Sequence, residues 1–165
     1  MVFTGKNLSE DPLAQTPKLL LVDDREENLT ALEGILQDVP IEIITANNGN
    51  DALKLAYRHN VILILMDVHM PGMTGFETAT VLRSVEKTRH TPIIFVTASQ
   101  PDQQEVFEGY RTGAVDYLYK PIDSHVLLSK VSVFIELQMQ RQEVQRLNSQ
   151  LSRTVIQLNE AREQA

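Results

Sequence analysis

Val61–Gly75 reads VILILMDVHMPGMTG: an apolar run, one acid, and then a stretch carrying Pro71, Gly72 and Gly75. A short continuous apolar run closed by turn residues reads as a strand buried on both faces. Such strands belong to parallel sheets with helices on either side. Asp67 stands where the run stops, and the Gly- and Pro-rich loop behind it lets backbone come close. This is the most apolar run of the chain, so it takes a central place in the sheet.

Working outward, other runs end in the same manner. Leu19–Val22 stops at Asp23-Asp24, Ile93–Val96 at Thr97, and the weaker Val115–Leu118 shortly before Lys120. Between them the pattern alternates strand and helix. A helix is predicted over Arg25–Gln37, with Asp24 or a neighbour as its cap, followed by a strand over Ile41–Thr45. The Asn47-Asn48-Gly49 turn signal leads into a helix over Asp51–Arg58. Further helices are predicted over Phe76–Thr88 and Gln103–Thr112, with strands at Pro92–Thr97 and Val115–Tyr119. A last helix starts near Ser124. Strand–helix alternation argues for an α/β fold with a parallel sheet. In such sheets ligands bind beyond the carboxyl ends of the strands, where strand order reverses. The polar residues that end the runs fall there.

Composition narrows the function. The chain has 165 residues, 42% of them hydrophobic and 22% charged, as expected of a globular domain with an appendage. A net charge of −7 gives no basis for nucleic-acid binding, which needs clustered Lys and Arg. With no cysteine there is no disulfide, thiolate nucleophile or cysteine metal site. No stretch reads as a membrane span, and Met1–Pro17 lacks the regions of a signal peptide, so a loose leader and a cytoplasmic location are expected.

Asp23, Asp24, Asp67, Thr97 and Lys120 together suit a divalent cation and a phosphoryl group. Three neighbouring carboxylates repel, and without a cation at least one pKa should rise. Mg2+ prefers oxygen ligands and relieves that repulsion. An Asp carboxylate can act as nucleophile and form an aspartyl-phosphate; Lys120 can pair with a phosphoryl oxygen as a point charge, and the Thr97 hydroxyl can donate to another. An aspartyl phosphatase of the haloacid dehalogenase type would want Asp-x-Asp after the first strand, whereas Asp23-Asp24 is followed by Arg25. A flavodoxin would need a Ser/Thr- and Gly-rich phosphate loop there, and the P-loop motif is absent.

The stretches LLLVDD (Leu19–Asp24), LMDVHMPGMTG (Leu65–Gly75), IIFVTA (Ile93–Ala98) and DYLYKP (Asp116–Pro121) resemble, in order, the receiver domain of two-component response regulators. The resemblance covers about Lys18 to Leu137. It implies a flavodoxin-like five-stranded parallel sheet in order 2-1-3-4-5. It implies Asp67 as phosphoacceptor, with Mg2+ (Mn2+ substituting) held by Asp24, Asp67 and the His69 backbone carbonyl, and by Asp23 largely through water. Thr97, Ala98 and Lys120 would bind the phosphoryl group, Lys120 helped by a cis peptide before Pro121. Thr97 and Tyr117 would form the switch, acting on the face built from the predicted fourth helix, the fifth strand and the fifth helix. His69 and Ser99 would tune how long the phosphoryl group lasts. The implied donor is a histidine kinase or phosphotransfer protein.

Three segments are therefore expected: a leader over 1–17, a receiver over 18–136 and a coiled-coil helix over 137–165. In the last, Leu137, Val144, Leu151 and Leu158 recur every seven residues, with Gln140, Leu147, Thr154 and Ala161 at the companion positions. A parallel homodimer with Leu147 also in its seam is the expectation. Leu147–Ala165 resembles helices that lead into histidine-kinase dimerisation domains or diguanylate cyclases, so a missing output domain is expected. His59, His69, His90 and His125 lack a kinase-like phosphoacceptor setting. The competing reading is a scaffold that dimerises and never needs phosphate.

Overall fold

The computed structural model describes residues 16–98, 111, 113 and 116–164. Five strands form one parallel sheet: β1 Lys18–Val22, β2 Glu42–Ala46, β3 Val61–Asp67, β4 Ile93–Thr97 and β5 Asp116–Tyr119. Their spatial order is β2-β1-β3-β4-β5, so the chain reverses direction across the sheet between β1 and β3. The helices are α1 Glu26–Leu36, α2 Gly49–Arg58, α3 Gly75–Ser84 and a long final helix, α4, Ser124–Glu163. The helix predicted over 103–112 lies almost wholly outside the described residues.

Strand alternation decides which residue meets which helix. Leu20, Val22, Ile64, Met66 and Phe95 point to the face covered by α2 and α3. Leu19, Leu21, Leu63, Leu65, Ile94 and Val96 point to the face of α1 and α4, where they meet Leu29, Leu32, Leu127 and Val131. All of these side chains are buried. Burying one Leu or Ile contributes about 1.5 to 3 kcal/mol. A slip of one residue would exchange the two faces, so the register is strongly specified. Because both faces are covered, the strands carry no polar alternation, which is why they read as unbroken apolar runs.

Several boundaries differ from the sequence expectation. The first helix starts from Arg25, which makes no side-chain cap; Asp24 does not cap it, and Asp23 instead accepts from the Arg25 N–H at 2.9 Å. The second helix begins two residues earlier than expected, because the Asn48 side chain caps it by accepting from the Asp51 N–H. The third ends at Ser84, not Thr88. Val85 is extended there, the Thr88 hydroxyl donates back to the Leu82 carbonyl at 2.6 Å, and the Arg83 guanidinium gathers the carbonyls of Arg89, Thr91 and Gly113. Local polar groups thus replace the last helical turn.

The α4 helix belongs half to the domain and half to solvent. Its first half packs on the sheet through Leu127 and Val131. Asn60, just before β3, and Gln142 exchange side-chain amide hydrogen bonds of 3.2 and 2.8 Å. Beyond Gln142 every described residue is exposed. Among the described residues no helix is long and apolar enough to cross a membrane.

Candidate functional site

Asp23 directly follows β1 and Asp67 ends β3, on either side of the point where strand order reverses. Asp23 is only 1% exposed, and its N–H donates to the Ala46 carbonyl at the end of β2. Its carboxylate is held on three sides: by the Arg25 N–H, by the Asn28 side-chain amide at 3.2 Å to both oxygens, and by Lys120 Nζ at 3.2 Å. Asp24 is exposed at the rim. Oxygens of Asp23, Asp24 and Asp67 lie within 4.8 Å of one another.

Asp67 is set by its backbone neighbours. The Gly75 N–H donates to the Val68 carbonyl at 2.9 Å, folding the following loop back over the strand end. A Cβ at Gly75 would stand 2.3 Å from the Asp67 carbonyl oxygen, so only glycine allows the approach. The His69 N–H donates to Asp67 Oδ1 at 3.2 Å. Lys120 Nζ lies 3.9 Å from Asp67 Oδ2. Burial pushes the Asp67 carboxyl above its ordinary pKa; Lys120 and the His69 N–H pull it down, and Asp23 and Asp24 push it up. The expected like-charge effect is present, but desolvation outweighs it.

Thr97 ends β4 and is 1% exposed, and its hydroxyl has no hydrogen-bond partner among the described residues. A buried hydroxyl left without any partner costs about 1 to 3 kcal/mol. The Thr97 carbonyl accepts from the Lys120 N–H at 2.8 Å, tying the ends of β4 and β5 together, and the Lys120-Pro121 peptide is cis, as expected. Tyr117 lies on the same face of the sheet as Thr97. Its half-buried ring packs at 5.6 Å from Phe95, which makes an edge contact with Phe76. Ala98 and His69 are exposed, and Ser99 lies outside the described residues.

The sequence-predicted acids and Lys120 therefore converge on one basin. Lys120 pairs more closely with Asp23 than with Asp67. Two participants escaped the sequence reading. Asn28 looks like an ordinary helix residue, and only its position five residues after Asp23 hints at its role. Gly75 reads as a loop glycine, with no local signal of its contact with Asp67. The seam residues Leu137, Val144, Leu147, Leu151 and Leu158 lie far from this basin, all of them exposed.

Three carboxylates around a small opening offer hard oxygen donors suited to a divalent cation. The Lys120 ammonium beside them suits an incoming anion.

Comparison with known proteins agrees. Residues 19–132 match the family described as the response regulator receiver domain. The chain is 40% identical over 114 residues to the response regulator PleD of Caulobacter vibrioides, covering 69% of this chain but 25% of PleD. It is 33% identical to the protein PilH of Pseudomonas aeruginosa, covering 72% of this chain and 97% of PilH. Among solved structures, the chemotaxis protein CheY4 of Vibrio cholerae superposes with a TM-score of 0.67 at 32% identity, over 72% of this chain and 98% of that one. A signal receiver domain of an HD domain-containing protein from Pseudomonas fluorescens Pf-5 gives 0.69 at 28% identity, over 76% and 99%.

Proposed function

The chain belongs to the response regulator receiver family, and we propose that Asp67 is its phosphoacceptor. The observation that carries this reading is the convergence of Lys120 and three Asp side chains on the carboxyl end of β3. In the transfer, an Asp67 carboxylate oxygen attacks the phosphorus of a phosphohistidine. The O–P bond forms as the P–N bond breaks, and the leaving imidazole nitrogen keeps the electron pair and takes up a proton. Lys120 balances charge on the phosphoryl oxygens, and the Thr97 hydroxyl donates to one of them, as does the Ala98 backbone N–H. The donor set would suit Mg2+ or Mn2+, which Asp24, Asp67 and the His69 carbonyl would hold with help from Asp23, and which would neutralise charge on phosphoryl oxygens. Hydrolysis later adds water at phosphorus and returns the carboxylate and orthophosphate, at a rate tuned by His69 and Ser99.

The phosphoryl group adds about −1.5 to −2 charge and three acceptor oxygens. Thr97 moves to meet it, and Tyr117 follows into the space released, which biases an existing equilibrium of the neighbouring surface. Of that surface, β5 and the start of α4 lie among the described residues. A histidine kinase or phosphotransfer protein supplies the phosphoryl group. Residues 18–136 form the receiver, and 137–165 continue α4 as a dimerising stalk toward an output domain. The match spans about a quarter of the length of PleD. The test is incubation with acetyl phosphate and Mg2+ followed by intact mass measurement. The wild type should gain one phosphoryl group and Asp67→Ala none. A wild type that gains nothing would favour the phosphate-independent scaffold.

A further inference from the structure

The far half of α4 presents apolar side chains to water: Val144 is 56% exposed, Leu147 48%, Leu151 63%, Val155 47% and Leu158 65%. A strict seven-residue seam places Thr154 in the core and leaves Val155 outside. The spacing of the apolar residues says otherwise. From Val144 the steps are three, four, four and three. Val133, Val144 and Val155 recur every eleven residues, as do Leu147 and Leu158.

On a straight helix turning about 100° per residue, Val133, Leu137, Val144, Leu147, Leu151, Val155 and Leu158 fall within an arc of about 80°. Thr154 and Ala161 fall outside it. Gln140 falls inside the same arc, so one polar residue separates Val133 and Leu137, which are exposed on the part docked to the receiver, from the apolar run that starts at Val144 on the same unbroken helix. The side of α4 that faces the receiver carries Leu127, Val131, Ile135 and Gln142. By the same geometry it lies roughly 160° around the helix from the stripe.

We infer that the stripe pairs with a second copy of itself, in parallel and in register, along an eleven-residue seam that includes Val155 and excludes Thr154. This rests on the dimerising stalk proposed above and specifies its register. Three features favour a second copy as the occupant. The stripe points away from the receiver, so two receivers sit on the outside of the helix pair without contest. Along its free part, between Val144 and Asn159, the flanks are Asn148, Ser152, Thr154 and Asn159, so an identical helix brings no like charge against that part; Glu136, Arg141 and Glu143 flank the part nearer the receiver. The stripe also runs about 37 Å from Val133 to Leu158, more than six turns, which suits pairing with a helix of equal length. An eleven-residue repeat has 3.67 residues per turn, so the pair runs nearly straight or slightly right-handed, without the left-handed supercoil of heptads.

The chain has no cysteine, so single-cysteine variants of residues 1–165 report register directly. Light scattering should give twice the 18.6 kDa chain mass, and Leu151→Asp should halve it while the far-UV spectrum of the receiver is kept. Under copper-phenanthroline oxidation, Leu147→Cys, Leu151→Cys and Val155→Cys should give disulfide dimers, and Thr154→Cys should give severalfold less. A wild-type monomer would overturn both the stalk dimer and its register. A dimer in which Thr154→Cys cross-links and Val155→Cys does not would overturn the register alone. Cross-linking through Leu151→Cys but neither flanking variant would indicate an antiparallel pair and overturn the parallel arrangement.

Discussion

Asp67→Asn should make the metal-free protein more stable. Asp67 is 7% exposed, and its carboxylate shares a basin with those of Asp23 and Asp24, oxygens within 4.8 Å of one another. At an effective dielectric near 20, each such repulsion amounts to about 3.5 kcal/mol, and the attraction to Lys120 at 3.9 Å to about 4 kcal/mol. Two repulsions therefore exceed one attraction by about 3 kcal/mol, and burial of the charge adds to the deficit. Asp24 is exposed, so solvent screens its share, leaving a net gain of about 1 to 2 kcal/mol for the amide. The pH dependence has a fixed sign. The folded-state pKa of Asp67 lies above the unfolded one. Its contribution to stability is thus fully present below the unfolded pKa and lost as pH rises through the folded value. The advantage of Asp67→Asn should grow from acid toward neutral pH. In urea denaturation with EDTA at pH 7, the midpoint should rise by about 0.5 to 1 M. Saturating Mg2+ should stabilise the wild type and leave the variant nearly unchanged, narrowing the gap. A variant that is less stable than the wild type in EDTA, or a gap that widens with Mg2+, refutes the electrostatic reasoning.

Lys120→Ala removes the ammonium that faces the phosphoryl group; its rate of acetyl phosphate labelling should fall by about a hundredfold, and an undiminished rate counts against the assigned role. Gly75→Ala forces a methyl to within 2.3 Å of the Asp67 carbonyl oxygen, so stability should drop by about 2 to 3 kcal/mol in urea; an unchanged midpoint would show that the loop yields freely. His69→Asn should change the lifetime of the acyl phosphate, followed by loss of label after donor removal, and an identical decay would dismiss His69 as a tuning position. Asn60→Ala should cost about 1 kcal/mol and speed amide exchange around Gln142 roughly fivefold, whereas unaltered exchange there would deny the amide pair any part in holding α4.

Much of the molecule is legible from sequence because the inner strands β1, β3 and β4 are buried on both faces. Burial on both faces forces a continuous apolar run, and a polar residue at its end is visible against it: Asp67 after Leu63–Met66 is the clearest case. The convergence of Asp23, Asp67 and Lys120 then follows from parallel topology, since all three stand at the same end of their strands. What stays hidden depends on contacts between distant or unremarkable residues. The end of α3 is set by Arg83 bonding to a carbonyl eight residues on and Thr88 to one six residues back, which helical periodicity does not register. Asn28 has the composition of a helix surface residue, yet its amide holds both oxygens of Asp23. The pairing of Asn60 with Gln142 spans 82 positions and leaves no local trace. Periodicity marks an apolar stripe on α4, but every described residue beyond Gln142 is exposed, so burial gives no choice between a seven- and an eleven-residue repeat.

The placement of that amide pair bears on how a local charge reaches the stalk. Besides the packing of Leu127 and Val131 on the sheet, two polar attachments join the α4 helix to the receiver. At its start, Asp123 caps it through the N–H groups of His125 and Val126, three residues after Lys120 in the basin. At the other end of the sheet, Gln142 is tied to Asn60, from which β3 runs back up to Asp67. Between Asp123 and Gln142 the helix rises about 28 Å, and from Gln142 to Glu163 a further 31 Å or so. A rigid helix held at Gln142 is a lever with nearly equal arms. If Lys120 draws toward a phosphoryl group and shifts the start of α4 by about 1 Å, the free end moves by a similar amount in the opposite sense. Sub-ångström to ångström shifts are the scale at which packed helices move against one another. Leu127 and Val131 lie fully buried against the sheet along the first arm, so a shift at the start of α4 has to carry that packing with it before it reaches the free half of the helix.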